Sequence, residues 1–134
     1  MRRWLLKSEP DVYGFDQLFE DGETIWDGVR NNAARLNLRA MKVGDEAFFY
    51  HSNIGREVVG ICRISRAAFP DPTDPSGKWV AVAVVPVRKL AKAVPLAAIK
   101  AEPSLATFQL VRQSRLSVVP VSDDEWQQVL RLSV

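Results

Sequence analysis

The chain has 134 residues, of which 47% are hydrophobic and 25% charged, and its net charge at pH 7 is +2. These values predict one globular domain over residues 1–134 with a buried core, and they exclude a disordered or strongly basic chain. The single cysteine, Cys62, excludes an internal disulfide and a cysteine-based zinc site. The first residues lack the long apolar run of a signal peptide or a membrane span. We therefore expect a soluble, cytoplasmic monomer that needs no cofactor.

The charges are distributed unevenly along the chain. Residues 28–121 carry fourteen basic and six acidic residues, a net charge of +8. Residues 1–27 carry three basic and seven acidic residues, and residues 122–134 carry one and three, so the ends together have a charge of −6. A basic central region is compatible with binding to phosphates. Solvated surface lysines explain the same pattern, so charge alone does not decide between the two.

Two short elements are predicted at the start of the chain. Residues 3–8 alternate as a strand, which stops at Glu9-Pro10-Asp11. The proline biases Glu9 towards extended geometry. Residues 15–20 carry a helical apolar face between Gly14, an acceptable N-cap, and Gly22, a typical terminator. The chain therefore opens with a strand followed by one short helix.

Residues 26–31 predict a loop that leads into a helix over residues 30–41. Two apolar stripes lie nearly opposite each other on this helix, and a helix that is apolar on two sides is expected to be wedged between other elements. The first stripe contains Val29, Ala33, Leu36 and Ala40, and the second contains Ala34, Leu38 and Met41.

The rest of the chain predicts further strands and short helices. Residues 70–78 are rich in proline and aspartate and form the one obvious loop. Ser122 and Glu125 form a capping box that opens the last helix. About five irregularly spaced strands with four or five short helices indicate the α+β class. The remaining strands are predicted at 46–52, 57–66, 79–87 and 115–121, and the remaining helices at 96–100 and 105–112. In the strand 46–52, alternation predicts Phe49 and His51 on one face and Phe48 and Tyr50 on the other.

Three short stretches combine aromatic and polar side chains: residues 7–10, 26–31 and 50–53. Unstacked bases are held in proteins by aromatic stacking and by hydrogen bonds to their edges. Trp26 and Tyr50 are candidates for the stacking faces, although core packing is the commoner use of such residues. Candidates for contacts to base edges are Asn31, Ser52, Asn53 and Ser117. Candidates for contacts to phosphates or to a ring oxygen of the base are Lys7, Arg30 and Arg115.

The sequence contains no recognisable catalytic constellation. His51 is the only histidine, and a structural role at a strand end is a better explanation for it than catalysis. No nucleophile elbow, phosphate-binding glycine loop or metal-ligand spacing is present. We therefore expect a protein that is not an enzyme.

Six motifs in order along the chain resemble the EVE domain family, which belongs to the PUA-like superfamily together with YTH and ASCH domains. The resemblance covers essentially the whole chain. The motifs are Trp4 to Pro10, Trp26 to Asn31, Leu38 to Asp45, Phe48 to Asn53, Arg115 to Val118, and Glu125-Trp126.

The resemblance implies a mixed β-barrel of five to six strands surrounded by short helices. It also implies a module that binds DNA or RNA and reads a modified base, flipped into an aromatic-lined pocket. The alternatives are a binder of a small nucleoside-like metabolite and an ASCH-like enzyme that processes nucleic acids. Residue by residue, the resemblance implies a pocket formed by Lys7, Ser8, Trp26, Arg30, Asn31, Tyr50, His51, Ser52, Asn53, Arg115, Leu116 and Ser117.

The chain departs from the family pattern at four single positions and in one loop. Asn32, Ala33, Leu36 and Val119 stand where the family commonly has tyrosine, glutamine, asparagine and glutamine. The loop between Pro70 and Trp79 is shorter than usual and lacks an aromatic segment. These changes are expected to remove amide and aromatic groups near the site and to alter its selectivity.

Overall fold

A mixed sheet of six strands organises the chain, and the computed structural model describes all residues, 1–134. The strands lie side by side in the order β2-β5-β4-β3-β1-β6. β1 and β3 are parallel, and every other pair is antiparallel. The α+β class and the barrel-like sheet are confirmed, although β2 and β6 remain edges, so the barrel is open. The strands are β1 Arg3–Ser8, β2 Thr24–Trp26, β3 Glu46–His51, β4 Glu57–Pro70, β5 Val80–Pro95 and β6 Val118–Val121.

Helices cover both faces of the sheet. No helix combines the length and the apolarity that crossing a membrane requires. A 3₁₀ turn, Pro103–Leu105, lies between the third and fourth helices. The helices are α1 Phe15–Asp21, α2 Asn32–Ala40, α3 Leu96–Ala101, α4 Gln109–Arg112 and α5 Asp123–Leu132.

The sheet separates two hydrophobic cores because successive side chains of a strand point to opposite faces. Trp4 and Phe49 belong to the core beneath α1 and α2. Leu5 and Phe48 belong to the core beneath α3, α4 and α5. In the second core the rings of Phe48 and Trp126 stack at 3.8 Å between centroids. The predicted alternation of β1 and β3 is thus confirmed.

The predicted loop and helix around residues 26–41 need correction. Trp26 ends a three-residue strand, β2, which pairs with β5. The helix begins only at Asn32, because the Asn31 side chain caps it by accepting a hydrogen bond from the Ala34 N–H at 2.9 Å. Arg30 therefore lies outside the helix, in the turn that precedes it.

The prediction that this helix is wedged between two elements was wrong. Ala34 and Leu38 are buried against the first core, whereas Leu36 on the opposite stripe is 60% exposed. Periodicity identified the apolar positions correctly, but the fold leaves Ala33 and Leu36 of the first stripe exposed. Leu36 therefore lies at the surface.

Several other predicted bounds differ from the structure. β4 and β5 are longer than expected, since irregularities in their pairing let both strands bend around the core. Pro86 is tolerated inside β5 next to one of these irregularities. The region 105–112 contains a 3₁₀ turn and one short helix instead of a continuous helix. The last strand is shorter than expected, whereas the Ser122–Glu125 capping box is confirmed.

Candidate functional site

Three adjoining recesses open around the carboxyl end of β1. The largest is a cavity of about 510 Å³, within the 300–1,000 Å³ typical of small-ligand sites. We call it the first cavity. It is lined by Lys7, Ser8, Glu9, Val12, Tyr13, Thr24, Ile25, Trp26, Asp27, Gly28, Val29, Arg30 and Ser117.

Trp26 forms the main aromatic wall of the first cavity. Its ring packs edge-to-face on the buried Phe49, with centroids 5.5 Å apart and planes at 90°. β2 holds its backbone through pairing with Val82. Tyr13 lies on the same cavity, and its hydroxyl donates to Asp21 at 2.8 Å. The aromatic wall is therefore supported by the core and keeps its orientation without a ligand.

Cations and carboxylates both lie on the rim of the first cavity. Lys7 and Arg30 supply donors, and Glu9 and Asp27 supply acceptors. The Lys7 ammonium donates to the backbone carbonyl of Ser114 at 3.0 Å, and burial lowers its pKa. A rim with both kinds of group suits a neutral ligand that carries donors and acceptors side by side.

A buried carboxylate, Asp71, holds the turn that carries Arg30. Its Oδ2 accepts from the Gly28 N–H at 2.8 Å and from the Arg30 guanidinium at 2.9 Å. Its Oδ1 accepts from the N–H and the hydroxyl of Thr73, both at 2.7 Å. Burial opposes ionisation, but the hydrogen bonds from Thr73, Arg30 and Gly28 outweigh it and hold the pKa of Asp71 well below its ordinary value. The short 70–78 loop thus clamps one wall of the first cavity.

A second cavity, of about 260 Å³, lies beside the first and shares Lys7 with it. Tyr50, Ser52 and Asn53 line this cavity and not the first. The reason is strand alternation: Phe49 faces Trp26 in the first core, so Tyr50 points to the opposite face of the sheet. The residues that were expected in one pocket thus lie in different recesses. The second cavity is completed by Arg56, Leu96, Lys100, Leu110, Val111 and Ser114.

The remaining predicted residues lie outside both cavities. Asn31, Arg115 and Leu116 line a shallow groove of about 320 Å³ that adjoins the second cavity at Ser114. His51 lines none of the recesses, and its Nε2 accepts the Phe15 N–H at 3.1 Å. Burial lowers its pKa, which keeps the imidazole in the neutral form that this bond requires.

Of the twelve predicted residues, five line the first cavity: Lys7, Ser8, Trp26, Arg30 and Ser117. None of the four single-position departures from the family pattern lines it. Val119 is buried in the second core, and Leu36 lies on the exposed side of α2. Ala33 lines the groove together with Asn31 and Arg115, so the expected effect of these positions on selectivity stays a prediction.

Sequence reasoning missed several residues of the first cavity. Glu9 and Asp27 stand inside the recognised motifs, so their acceptor groups were available as a signal. Tyr13 follows the first motif in a loop, and no pattern marked it. Asp71 was recognisable only as a turn residue, because its partners lie more than forty positions earlier in the chain.

The comparisons with known proteins agree on one family. A family model described as "EVE domain" matches residues 2–132. Human thymocyte nuclear protein 1 is 39% identical over an alignment of 163 positions. The alignment covers 96% of this chain and 72% of the human protein. An uncharacterised protein of Schizosaccharomyces pombe is 33% identical and covers 98% of this chain and 68% of its own length.

Solved structures extend the similarity to the fold. An NMR structure from Rhodopseudomonas palustris has 50% identity and a TM-score of 0.94, covering 99% of this chain and 93% of the other. Human THYN1 protein, in complex with DNA containing 5-methylcytosine, has 35% identity and a TM-score of 0.91, covering 99% and 98%. An ASCH protein from Zymomonas mobilis shares 11% identity at a TM-score of 0.61 over the full length of both chains, which shows the fold alone. The predicted PUA-like fold is confirmed by these neighbours.

Proposed function

Because the chain belongs to the EVE domain family, we propose that it is a non-enzymatic nucleic-acid-binding module that recognises a modified base. The base enters the first cavity after flipping out of its strand. The human relative was solved with DNA containing 5-methylcytosine, so this base in DNA is the first ligand to test. The chain acts as one EVE domain in this proposal.

One observation carries the proposal: an aromatic wall and a rim of donors and acceptors share one cavity of base size. Trp26 supplies a stacking surface. The carboxylates of Glu9 and Asp27 suit the exocyclic amino group of cytosine, which is a hydrogen-bond donor. Lys7 and Arg30 suit its ring acceptors.

Apolar side chains at the cavity suit a methyl substituent. Val12 is 75% exposed and Ile25 is 44% exposed, and both line the first cavity. Contact between an apolar side chain and a base methyl group is a known means of reading thymine. The same contact discriminates 5-methylcytosine from cytosine, and removal of these exposed surfaces from water favours the methylated base.

The remaining predicted ligand-binding residues, apart from His51, are assigned to the strand on either side of the flipped base. Tyr50, Ser52 and Asn53 lie in the second cavity, while Asn31, Arg115 and Leu116 lie in the groove. Each recess adjoins the next through Lys7 or Ser114. A strand that crosses the three recesses in turn meets all of these side chains.

The test is direct binding to short oligonucleotides that are matched in sequence and differ in one base modification, in DNA and RNA forms. We expect tighter binding to one modified member of the panel. Trp26→Ala should weaken that binding roughly tenfold or more, because base–aromatic stacking contributes on the order of 1–3 kcal/mol.

Phe19→Ala is the matched control for Trp26→Ala. Phe19 packs edge-to-face on the core residue Phe15, at 5.1 Å and 87°, yet it lines no cavity. It should leave the affinity unchanged. Equal affinity of wild type and a folded Trp26→Ala variant for the modified oligonucleotide contradicts the assignment of the first cavity to the base. Equal affinity of the wild type for all members of the panel contradicts the modified-base proposal.

A further inference from the structure

The second cavity differs from the first in its charge. Three cations line it, Lys7, Arg56 and Lys100, and no carboxylate does. The first cavity has two cations and two carboxylates on its rim. Like charges brought together without a counter-ion repel each other, so an anion in the second cavity would be stabilised.

The cations of this cavity keep free donors. The side chains of Arg56 and Lys100 make no hydrogen bond and no ion pair within the structure. Lys7 uses one of its three donors on the Ser114 carbonyl. Neutral donors, the hydroxyl of Ser52 and the amide of Asn53, line the same cavity.

The backbone holds Arg56 at this cavity in a conformation that is unfavourable for it. Arg56 has a φ of 47° and Asn53 a φ of 69°, both in the left-handed region that non-glycine residues seldom adopt. The Arg56 carbonyl accepts the Leu96 N–H at 2.8 Å, which ties the turn between β3 and β4, residues 52–56, to the start of α3. Such strain concentrates at functional sites. The turn thus places Arg56 in the same cavity as Lys100, which belongs to α3.

We propose that the second cavity binds the phosphate group next to the base held in the first cavity. Lys7 lines both recesses and lies where base and phosphate meet. Arg56 and Lys100 approach the phosphate from the outer side, and Ser52 and Asn53 donate to its oxygens. This inference rests on the proposed function, because it assigns the neighbouring phosphate of the same nucleotide.

The test uses the charge-only variant Arg56→Gln/Lys100→Gln. Its matched control is Arg39→Gln/Lys42→Gln, which removes the same charge from exposed side chains that line no cavity. The Lys42 N–H bonds Asp45, which also accepts the Arg2 N–H, so the control lies at the opposite end of β1 from Lys7. Urea unfolding checks that both variants are folded.

The ligands are a short single-stranded DNA with one 5-methylcytosine, 5-methyl-2′-deoxycytidine, its 3′- and 5′-monophosphates, and inorganic phosphate. Arg56→Gln/Lys100→Gln should bind the DNA and one of the two monophosphates about tenfold more weakly, as expected for a lost charge-assisted contact. It should bind the unphosphorylated nucleoside as the wild type does. The slope of log affinity against log salt should fall by about 0.7 in magnitude for the DNA, which corresponds to one lost phosphate contact.

Two results overturn the inference. One is a loss of DNA affinity and salt slope that equals the loss in Arg39→Gln/Lys42→Gln. The other is a loss of affinity for inorganic phosphate with no change for either monophosphate, which would assign the cavity to a free ion. Failure of the proposed function has a different signature. The wild type would then show no preference for methylated DNA, while the difference between nucleoside and monophosphate would still support the phosphate site.

Discussion

Asp71→Asn tests how the wall of the first cavity is held in place. The Asp71 side chain is fully buried, and each of its two oxygens accepts two hydrogen bonds. Asparagine has the same shape but only one oxygen, so two of the four donors face an amide nitrogen that cannot accept. A hydrogen bond to a charged group contributes roughly 1.5–3 kcal/mol, so the loss of two lowers the free energy of unfolding by about 3 kcal/mol or more.

Urea unfolding at pH 7, followed by tryptophan fluorescence, measures this change. A loss of 3 kcal/mol lowers the midpoint of thermal unfolding by roughly 10 °C for a chain of this length. Asp74→Asn is the control, since Asp74 lies in the same loop and accepts hydrogen bonds from Ser76 and the Trp79 N–H but none from residues 28–30. It should cost less and should leave ligand affinity at the wild-type value. A difference between wild type and Asp71→Asn below about 0.5 kcal/mol, the range of ordinary surface substitutions, refutes the clamp.

The dependence of this difference on pH provides a second check. The pKa of Asp71 is lowered in the folded state, so its stabilisation is complete above the unfolded pKa of about 3.9. It is lost as the pH falls through the folded pKa. The difference in unfolding free energy between wild type and Asp71→Asn should therefore be constant from about pH 5 to pH 8 and shrink below about pH 4. A difference that stays constant down to about pH 2 contradicts this account.

Two further predictions concern the core. Gly60→Ala should destabilise the fold by about 1–3 kcal/mol in urea unfolding, because the added Cβ would lie 2.3 Å from a ring atom of Phe15. Phe15→Leu in the same chain should restore part of the loss. An unchanged unfolding midpoint for Gly60→Ala would contradict this packing. Cys62 should resist a thiol reagent at pH 8 until urea unfolds the chain, because burial raises its pKa to about 12; prompt labelling of the native protein would show that the thiol is accessible.

Local patterns in the sequence predicted two kinds of element: those held by contacts within a short stretch of chain, and strands that are buried on both faces. The alternation in β1 and β3 assigned Trp4 and Leu5 to opposite faces, and both faces proved to be buried. β2 was missed because three residues are too few for a period, and its pairing partner Val82 lies far along the chain. The prediction drawn from the first stripe of α2 was wrong because a periodic pattern shows where apolar residues lie but not whether another element covers them.

The candidate site was predicted as a set of residues and not as a shape. The motifs named Lys7 and Trp26, which share the first cavity. The alternation of β3 already placed Phe49 and Tyr50 on opposite faces of the sheet. The contact between Phe49 and Trp26 shows which of these faces carries Trp26, and therefore that Tyr50 and Trp26 do not meet. The contact of Asp71 with Arg30 spans 41 positions, and no local rule predicts such a pair.

The clamp on Arg30 also decides which cations remain for phosphates. The sequence left Lys7, Arg30 and Arg115 as candidates for contact with phosphates or with a ring oxygen. Asp71 already neutralises Arg30, and the two terminal nitrogens of Arg30 already donate to Asp71, to Thr73 and to the Val29 carbonyl. An arginine held in this way adds little net attraction for an anion, and its remaining donors suit a neutral base edge. The phosphates of the nucleic-acid backbone must therefore be bound by cations that have no carboxylate partner. Because binding to phosphates depends on salt and binding to a base edge does not, Arg30→Gln should weaken ligand binding with little change in the salt slope.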